Sequence, residues 1–473
     1  MVASRRTKIV ATLGPALDDP ERLGRLVAAG VEVVRLNFSH GTPDEHARRL
    51  EAARRAAAAH GRPLAVLQDL PGPKLRVGAL PGGEATLRAG QEIVLASGGA
   101  TGDGVIPIAY PYLADDVRAG VRIFLQDGEI ELEVAAVDGR LVRCRVERGG
   151  RLRQHAGLNV PGVRLSVPAV TDDDLRCLEW GMAHAVDFVG LSFVERPEEI
   201  ARVRGLLAAR GASCGLVAKI EQRRALERIE ELAAAADAVM VARGDLAVET
   251  SIEDVPVVQK SIIALCNRLG RPVITATQML ESMIERPRPT RAEAADVANA
   301  VFDGTDALML SGETAIGAYP VEAAVTMAAI AERAEAALPY ALMFAARARE
   351  RASETGEAIA LAACEAAEAI GAAAIVAATQ SGSTARRVSR LRPRQPIVAV
   401  THDAATSRHL ALVWGVQPVL VEPVRDIDEL IASGVRAAAA LGVARRGEQV
   451  VVTAGVPIGR SGTTNMLKVV TVE

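Results

Sequence analysis

Lysine is almost missing from this 473-residue chain: Lys8, Lys74, Lys219, Lys260 and Lys468 stand against fifty arginines. So strong an arginine preference suggests that lysine persists where a compact ammonium is needed, although any single lysine can also be a chance survivor. A surplus of either charge is missing too. The formal net charge of −3 argues against wholesale nucleic-acid binding. No run of about 18 or more uncharged apolar residues occurs, so no membrane-spanning helix is indicated. The cysteines are few and scattered (Cys144, Cys177, Cys214, Cys266, Cys364), with neither metal-ligand spacing nor a disulfide-like pattern. The opening MVASRRTKIVATLG has no apolar signal core. A reduced, cytoplasmic location is the expectation.

What is present is an ordinary globular composition, 49% apolar and 24% charged, at a length that predicts two or three domains. Short β-branched runs recur at 8–14, 31–39, 63–70, 187–194, 215–221, 238–246, 272–280 and 307–314. Alanine-rich amphipathic stretches lie between them at 21–29, 44–59, 196–210, 223–235, 254–269 and 291–302. Strands alternating with helices predict βαβ crossovers, and eight such units predict a closed (β/α)8 TIM barrel. The third unit is interrupted by glycine-punctuated alternating runs, read as a small inserted β-barrel domain; its helix resumes at Thr171. Beyond residue 337 further strand–helix alternation predicts an open-sheet α/β domain. The expected organisation is a barrel over 1–73 and 171–336, an inserted lid over 74–170, and a C-terminal domain over 337–473.

Catalytic groups of such barrels gather at the carboxyl ends of the strands. There the sequence places Arg35, Asn37 and Ser39 (strand two), Asp69 (three), Lys219 and Glu221 (five), Arg243 and Asp245 (six), Thr277 (seven), and Ser311 and Glu313 (eight). So many charges on one face need a ligand or ion to balance them. Glu221 and Asp245 form a carboxylate pair suited to Mg2+, or alternatively to salt bridges with Lys219 or Arg243. Arg35, Lys219 and Arg243 around such a site predict an anionic substrate. The pattern alone indicates a Mg2+-dependent barrel enzyme acting on a small phosphorylated or carboxylated metabolite.

Several stretches resemble pyruvate kinases: RRTKIVATLGPA (5–16), VVRLNFSHG (33–41), GPKLRVG (72–78), GLNVPG (157–162), AKIEQ (218–222), MVARGDLAVE (240–249), TQSGSTAR (379–386) and, above all, the block from Ile274 to Pro320. The resemblance implies transfer of the phosphoryl group of phosphoenolpyruvate to ADP, giving pyruvate and ATP with Mg2+, for which Mn2+ can substitute. It implies that Glu221 and Asp245 hold the metal, that amides near Gly244 receive the substrate carboxylate, and that Lys219 and Arg35 meet the phosphoryl group. Thr277 would line the protonation face, and Asn37, His40 and Arg76 the nucleotide. It also implies a homotetramer and a sugar-phosphate or nucleotide effector site at Thr379, Ser381, Gly382, Ser383, Thr384 and Arg460.

Departures from the family's pattern modify these expectations. Lys74 stands where many members have glutamate, and Leu70 where they have threonine. A lysine ammonium among Asn37, Ser39 and Asp69 would replace K+, so K+ independence is expected. Ala156, Ser166 and Glu195 also depart, which bears on nucleotide binding and lid closure. The alternatives are another Mg2+- and enolate-using barrel enzyme of lyase type, and a catalytically weakened metabolite-binding homologue.

Overall fold

The computed structural model describes residues 5–99, 104–126, 128–348, 354–458 and 462–473. Eight parallel strands close into a barrel: β1 (Lys8–Thr12), β2 (Val33–Asn37), β3 (Ala65–Asp69), β4 (Phe188–Leu191), β5 (Gly215–Ile220), β6 (Ala238–Ala242), β7 (Val273–Ala276) and β8 (Ala307–Leu310). β8 returns to β1 through Lys8 and Ala307. Seven of the eight strands are buried at almost every position, β2 opening only at Arg35 and Asn37. Burial on both faces is why they read as continuous apolar runs rather than alternating ones.

Helix starts follow local chemistry. Thr42 with Glu45, Thr171 with Asp174, and Thr290 with Glu293 form reciprocal capping boxes. Gly270 and Gly304 end their helices in the left-handed conformation, at φ +65° and +95°. Several expectations are corrected: the seventh strand, expected over 272–280, ends at Ala276, and the eighth, expected over 307–314, ends at Leu310 before a short helix, Gly312–Ala315. The helix expected over 223–235 breaks at Arg228 into Arg223–Glu227 and Ile229–Ala235. The sixth strand ends at Ala242, and the expected remainder turns into a short helix, Arg243–Glu249.

The insertion after β3 is a seven-stranded sheet with a separate ribbon pairing Glu84–Leu87 with Gly150–Arg153. Its edge strands, Leu75–Arg76 and Val105–Ile108, approach through a single bridge between Val77 and Ile108, so the sheet curls back on itself. It has a core of its own, including Leu95, Ile123, Leu125, Ile130 and Leu132.

The C-terminal sheet contains β9 (Ala374–Ala378), β10 (Ile397–Thr401), β11 (Val416–Leu420), β12 (Gln449–Gly455) and β13 (Thr464–Thr471), in the order β11-β10-β9-β12-β13. Only β12 and β13 pair antiparallel. Separate apolar clusters cover its two faces. The domain is keyed into the base of the barrel. Ala411 and Leu412 join the barrel interior beside Val10 and Phe188, and Trp414 packs with the outer core. Ion pairs from Arg392 to Asp306 (2.9 Å) and from Arg408 to Asp187 (2.6 Å) tie the same junction.

Candidate active site

Lys219, the fifth residue of β5, points into the carboxyl mouth of the barrel, where three oxygens surround its ammonium. Nζ lies 3.0 Å from Asp69 Oδ1 and 2.8 Å from Glu221 Oε1, and donates to Ser192 Oγ at 2.6 Å. Asp69, the last residue of β3, is shared with Arg35, whose Nε reaches Oδ2 at 2.6 Å and whose Nη1 donates to Thr12 Oγ1 at 3.0 Å. Burial works against the Lys219 ammonium, but the Asp69 and Glu221 carboxylates outweigh it and raise its pKa. Burial likewise works against the Asp69 carboxylate, but Lys219 and Arg35 outweigh it and lower its pKa. Both groups are held charged.

Glu221 behaves differently. Its Oε2 accepts the Phe193 amide at 2.9 Å. Burial raises its pKa; Lys219 offsets part of the rise and the Asp245 carboxylate adds to it. Asp245, in the first turn of the short helix, is partly exposed, and its ion-pair contact among the described residues is Lys74 Nζ at 3.9 Å. Two mutually repelling carboxylates, one buried and one open to solvent, fit a hard divalent cation that keeps water and substrate oxygens in its other positions. No group of three or more His, Cys, Asp or Glu side chains among the described residues could hold a metal, so a cage made wholly of protein does not fit.

Thr277 follows β7 with φ +68°, and Gln278 follows it at +51°. A β-branched residue in that region is a backbone outlier of the kind that concentrates at functional sites. The turn lets the Thr277 hydroxyl donate to Ala276 O (2.7 Å) and accept the Gly244 amide (2.9 Å). Thr277 and the Gly244 backbone are thereby one hydrogen-bonded unit.

Three expectations change. Arg243 does not face the site: it donates to Ala276 O and Thr277 O, and pairs with Asp296 at 2.8 Å. The strand ends one residue before it, so its side chain runs behind the β7 turn as a brace. Glu313 is likewise buried structure, accepting the Leu280 and Ser311 amides. Lys74 approaches Asp245 rather than Asp69, because both Asp69 oxygens are already taken by Arg35 and Lys219. Asn37 Oδ1 accepts the Ser39 amide at 3.2 Å in a local turn. Lys74 still belongs to one cationic group: burial, then Arg76, Lys74 and Arg35, lower the His40 pKa. Arg76 itself donates to His155 O at 3.1 Å.

Sequence reasoning missed Ser192 and Thr12. Both sit at the carboxyl ends of barrel strands, so the rule that found the others, applied to strands four and one, would have found them. Of the departures, Ser166 Oγ donates to Asp116 Oδ1 (2.5 Å), and Glu195 pairs with Arg224 at 3.6 Å. Ala156 packs against the insertion's core. Glu249, at the end of the short helix, is buried and accepts backbone hydrogen bonds from Gly162, where the chain leaves the insertion, and from Arg223; burial first, then Asp245 and Glu195, push its pKa up to about 7.

In the C-terminal domain the loop after β9 enters the helix Ser383–Arg390 through Gly382, at φ +79°. Thr379, Ser383 and Thr384 line a cavity of about 70 Å3 with Gly455 and Thr464. Thr384 Oγ1 and Thr464 Oγ1 are 2.8 Å apart. Ser381 faces a different cavity, against the barrel. Arg460 lies outside the described residues.

A closed eight-stranded parallel barrel with charged side chains gathered at the carboxyl ends of its strands has the architecture of a barrel enzyme. A family model described as "Pyruvate kinase, barrel domain" matches residues 4–324, and one described as "Pyruvate kinase, alpha/beta domain" matches residues 357–470. The chain is 46% identical over 470 residues to a pyruvate kinase of Geobacillus stearothermophilus, covering 98% of this chain and 80% of that protein. It is 43% identical to pyruvate kinases of Staphylococcus aureus (468 residues) and Sporosarcina psychrophila (469 residues), with the same coverage. The chain belongs to the pyruvate kinase family, and is a phosphotransferase.

Proposed function

We propose that this chain transfers the phosphoryl group of phosphoenolpyruvate to ADP with Mg2+ and without need of K+. The observation that carries the reading is the Lys219 ammonium held between Asp69 and Glu221, with Asp245 close enough to raise the Glu221 pKa. Glu221 and Asp245 would hold the divalent ion, which supplies Lewis-acid stabilisation of the enolate oxygen when bound.

Phosphoryl transfer asks mainly for positioning and charge stabilisation. Lys219 and Arg35 are cations at one mouth, both held by ion pairs to Asp69. At about 4 Å and an effective dielectric near 20, one cation stabilises a developing charge by roughly 4 kcal/mol, about three orders of magnitude in rate. Amides near Gly244 receive the substrate carboxylate, and Thr277, which accepts the Gly244 amide and so fixes that turn, orders the water that protonates the enolate. His40, Arg76 and Asn37 form the nucleotide side. The inserted domain acts as a lid that excludes water and so prevents hydrolysis of the donor.

Lys74 supplies the positive charge that K+ would otherwise bring, acting through Asp245 and the cationic group around His40. The cavity at Thr379, Ser383 and Thr384 suits an allosteric phosphate. Exposed apolar Phe302 and Val325, on neighbouring helices, support a homotetramer. The location is cytoplasmic; no helix among the described residues is long and apolar enough to cross a membrane. The test is a coupled assay of pyruvate formation from phosphoenolpyruvate and ADP with Mg2+ in K+-free buffer. Turnover that a chelator abolishes and Mg2+ or Mn2+ restores is expected. Absence of turnover with or without K+ overturns the reading.

A further inference from the structure

The chain enters the insertion after β3 and returns to the barrel at Thr171, and one buried carboxylate holds both ends. Asp174, the third residue of the helix Asp172–Ala183, is 1% exposed. Its Oδ2 accepts the Thr171 amide (2.8 Å) and the Thr171 hydroxyl (2.7 Å), completing the capping box. A helix cap asks nothing of the second oxygen. Here Oδ1 accepts the Gly72 amide at 3.0 Å, from 102 residues back along the chain.

Gly72 is seated on the turn that follows β4. It adopts φ +64°, and a Cβ on it would lie 2.8 Å from Ser192 Cβ and 2.9 Å from Phe193 Cδ2, so only glycine lets the two segments approach this closely. Two residues earlier, Leu70 O accepts the Ser192 hydroxyl at 2.7 Å. The same turn holds both halves of the buried pair in the mouth. Ser192 Oγ takes the Lys219 ammonium at 2.6 Å, and the Phe193 amide donates to Glu221 Oε2 at 2.9 Å. Phe193 has φ +56°, a conformation that a bulky residue keeps only where its surroundings over-determine it. Gly72, packed against the Phe193 ring, is part of those surroundings.

We propose that Asp174 is a positioning residue: its Oδ1 keeps Gly72 seated on the Ser192–Phe193 turn, and that seat aims Lys219 and Glu221. The inference rests on the catalytic reading of those two residues. A shift of the turn moves a cation and a proposed metal ligand together, and about 1 Å of misplacement can cost ~10²-fold in rate. The same segment ties the site to the start of the insertion, since Lys74, two residues past Gly72, reaches Asp245 at 3.9 Å. Asp174 acts on the chemistry only through the Gly72 contact; its bonds to Thr171 do no more than cap the helix.

Asp174→Asn separates the two oxygens. Its one remaining acceptor serves more donors on the Thr171 side, which leaves its amino group against the Gly72 amide. Thr171→Ala removes the cap hydroxyl and keeps the Gly72 bond, so it reports the cap alone. At saturating Mg2+, Asp174→Asn and Gly72→Ala should lose at least about tenfold in kcat, while the KM for phosphoenolpyruvate moves less than about threefold. Thr171→Ala should keep the wild-type kcat and only lower the melting temperature. Mn2+ titration of the full chain without substrates, followed by electron paramagnetic resonance, should show affinity weakened at least about tenfold in the first two variants and unchanged in Thr171→Ala. Equal losses in Asp174→Asn and Thr171→Ala, or wild-type kcat and Mn2+ affinity in Asp174→Asn, overturn the positioning role, while turnover by wild type still upholds the catalytic reading. No turnover by wild type rejects both. If the variants do not fold, hydrogen exchange of wild type decides. Mn2+ should slow exchange at the Gly72 and Phe193 amides, and unchanged exchange at Gly72 rejects the link.

Discussion

Asp69 and Lys219 meet at 3.0 Å across the barrel mouth from strands that are not neighbours, since β4 runs between β3 and β5. Each keeps the other ionised against the cost of burial. Asp69 also holds Arg35, so one carboxylate positions both cations that face the proposed phosphoryl path.

Replacing Lys219 with Met should lower kcat and kcat/KM together by about three orders of magnitude, the signature of an interaction made in the transition state. Phosphoenolpyruvate binding, measured by fluorescence titration, should change far less. An equal loss in binding would assign Lys219 to ground-state recognition instead.

Thr277 can be separated into its shape and its hydroxyl. Thr277→Val keeps the branch but leaves the Gly244 amide without its acceptor, and should cost about 10²-fold or more in kcat. Thr277→Ser keeps the acceptor and should stay within several-fold of wild type. Similar rates in the two variants would reject the role of the hydroxyl.

Lys74→Glu should create a requirement for K+. Without the ion, activity should drop about tenfold or more, corresponding to ~1.4 kcal/mol for one nearby charge, and added K+ should restore it. Wild type should not respond to K+. A variant that K+ fails to rescue would show that Lys74 does something other than replace the ion.

Glu249 predicts a pH dependence of stability. Its carboxyl pKa is raised in the folded chain to about 7, above the ordinary value of 4.5. Between these values the folded state binds the extra proton, so stability falls as pH rises from about 4.5 to about 7 and is flat on either side. Glu249→Gln keeps an acceptor for the Gly162 amide and removes the charge. In metal-free buffer it should be more stable than wild type at pH 8, by on the order of 2 kcal/mol, and equal to it near pH 4, as read by urea denaturation. No difference at pH 8 would mean that Glu249 ionises without strain.

Much of the fold was legible because barrel strands buried on both faces leave uninterrupted apolar runs, and because threonine caps and terminal glycines mark helix ends locally. Glu221, Asp245 and Thr277 were visible by the same logic, as polar residues following a β-branched run. The errors fell where the side chain's direction depends on where the strand stops. Arg243 follows β6 immediately, and no pattern in the chain reveals that it turns behind the β7 loop.

The sequence by itself determined the eight-fold strand–helix alternation, the position of the insertion and the residue types at the barrel mouth, since these depend on periodicity and on contacts between near neighbours. Only the tertiary structure decided which charge meets which. Asp69 takes Arg35 and Lys219, and Lys74 is left to Asp245. Those pairings join residues 34 to 171 positions apart, and side-chain reach across a closed barrel or a domain junction is set by three-dimensional packing, which no local pattern encodes.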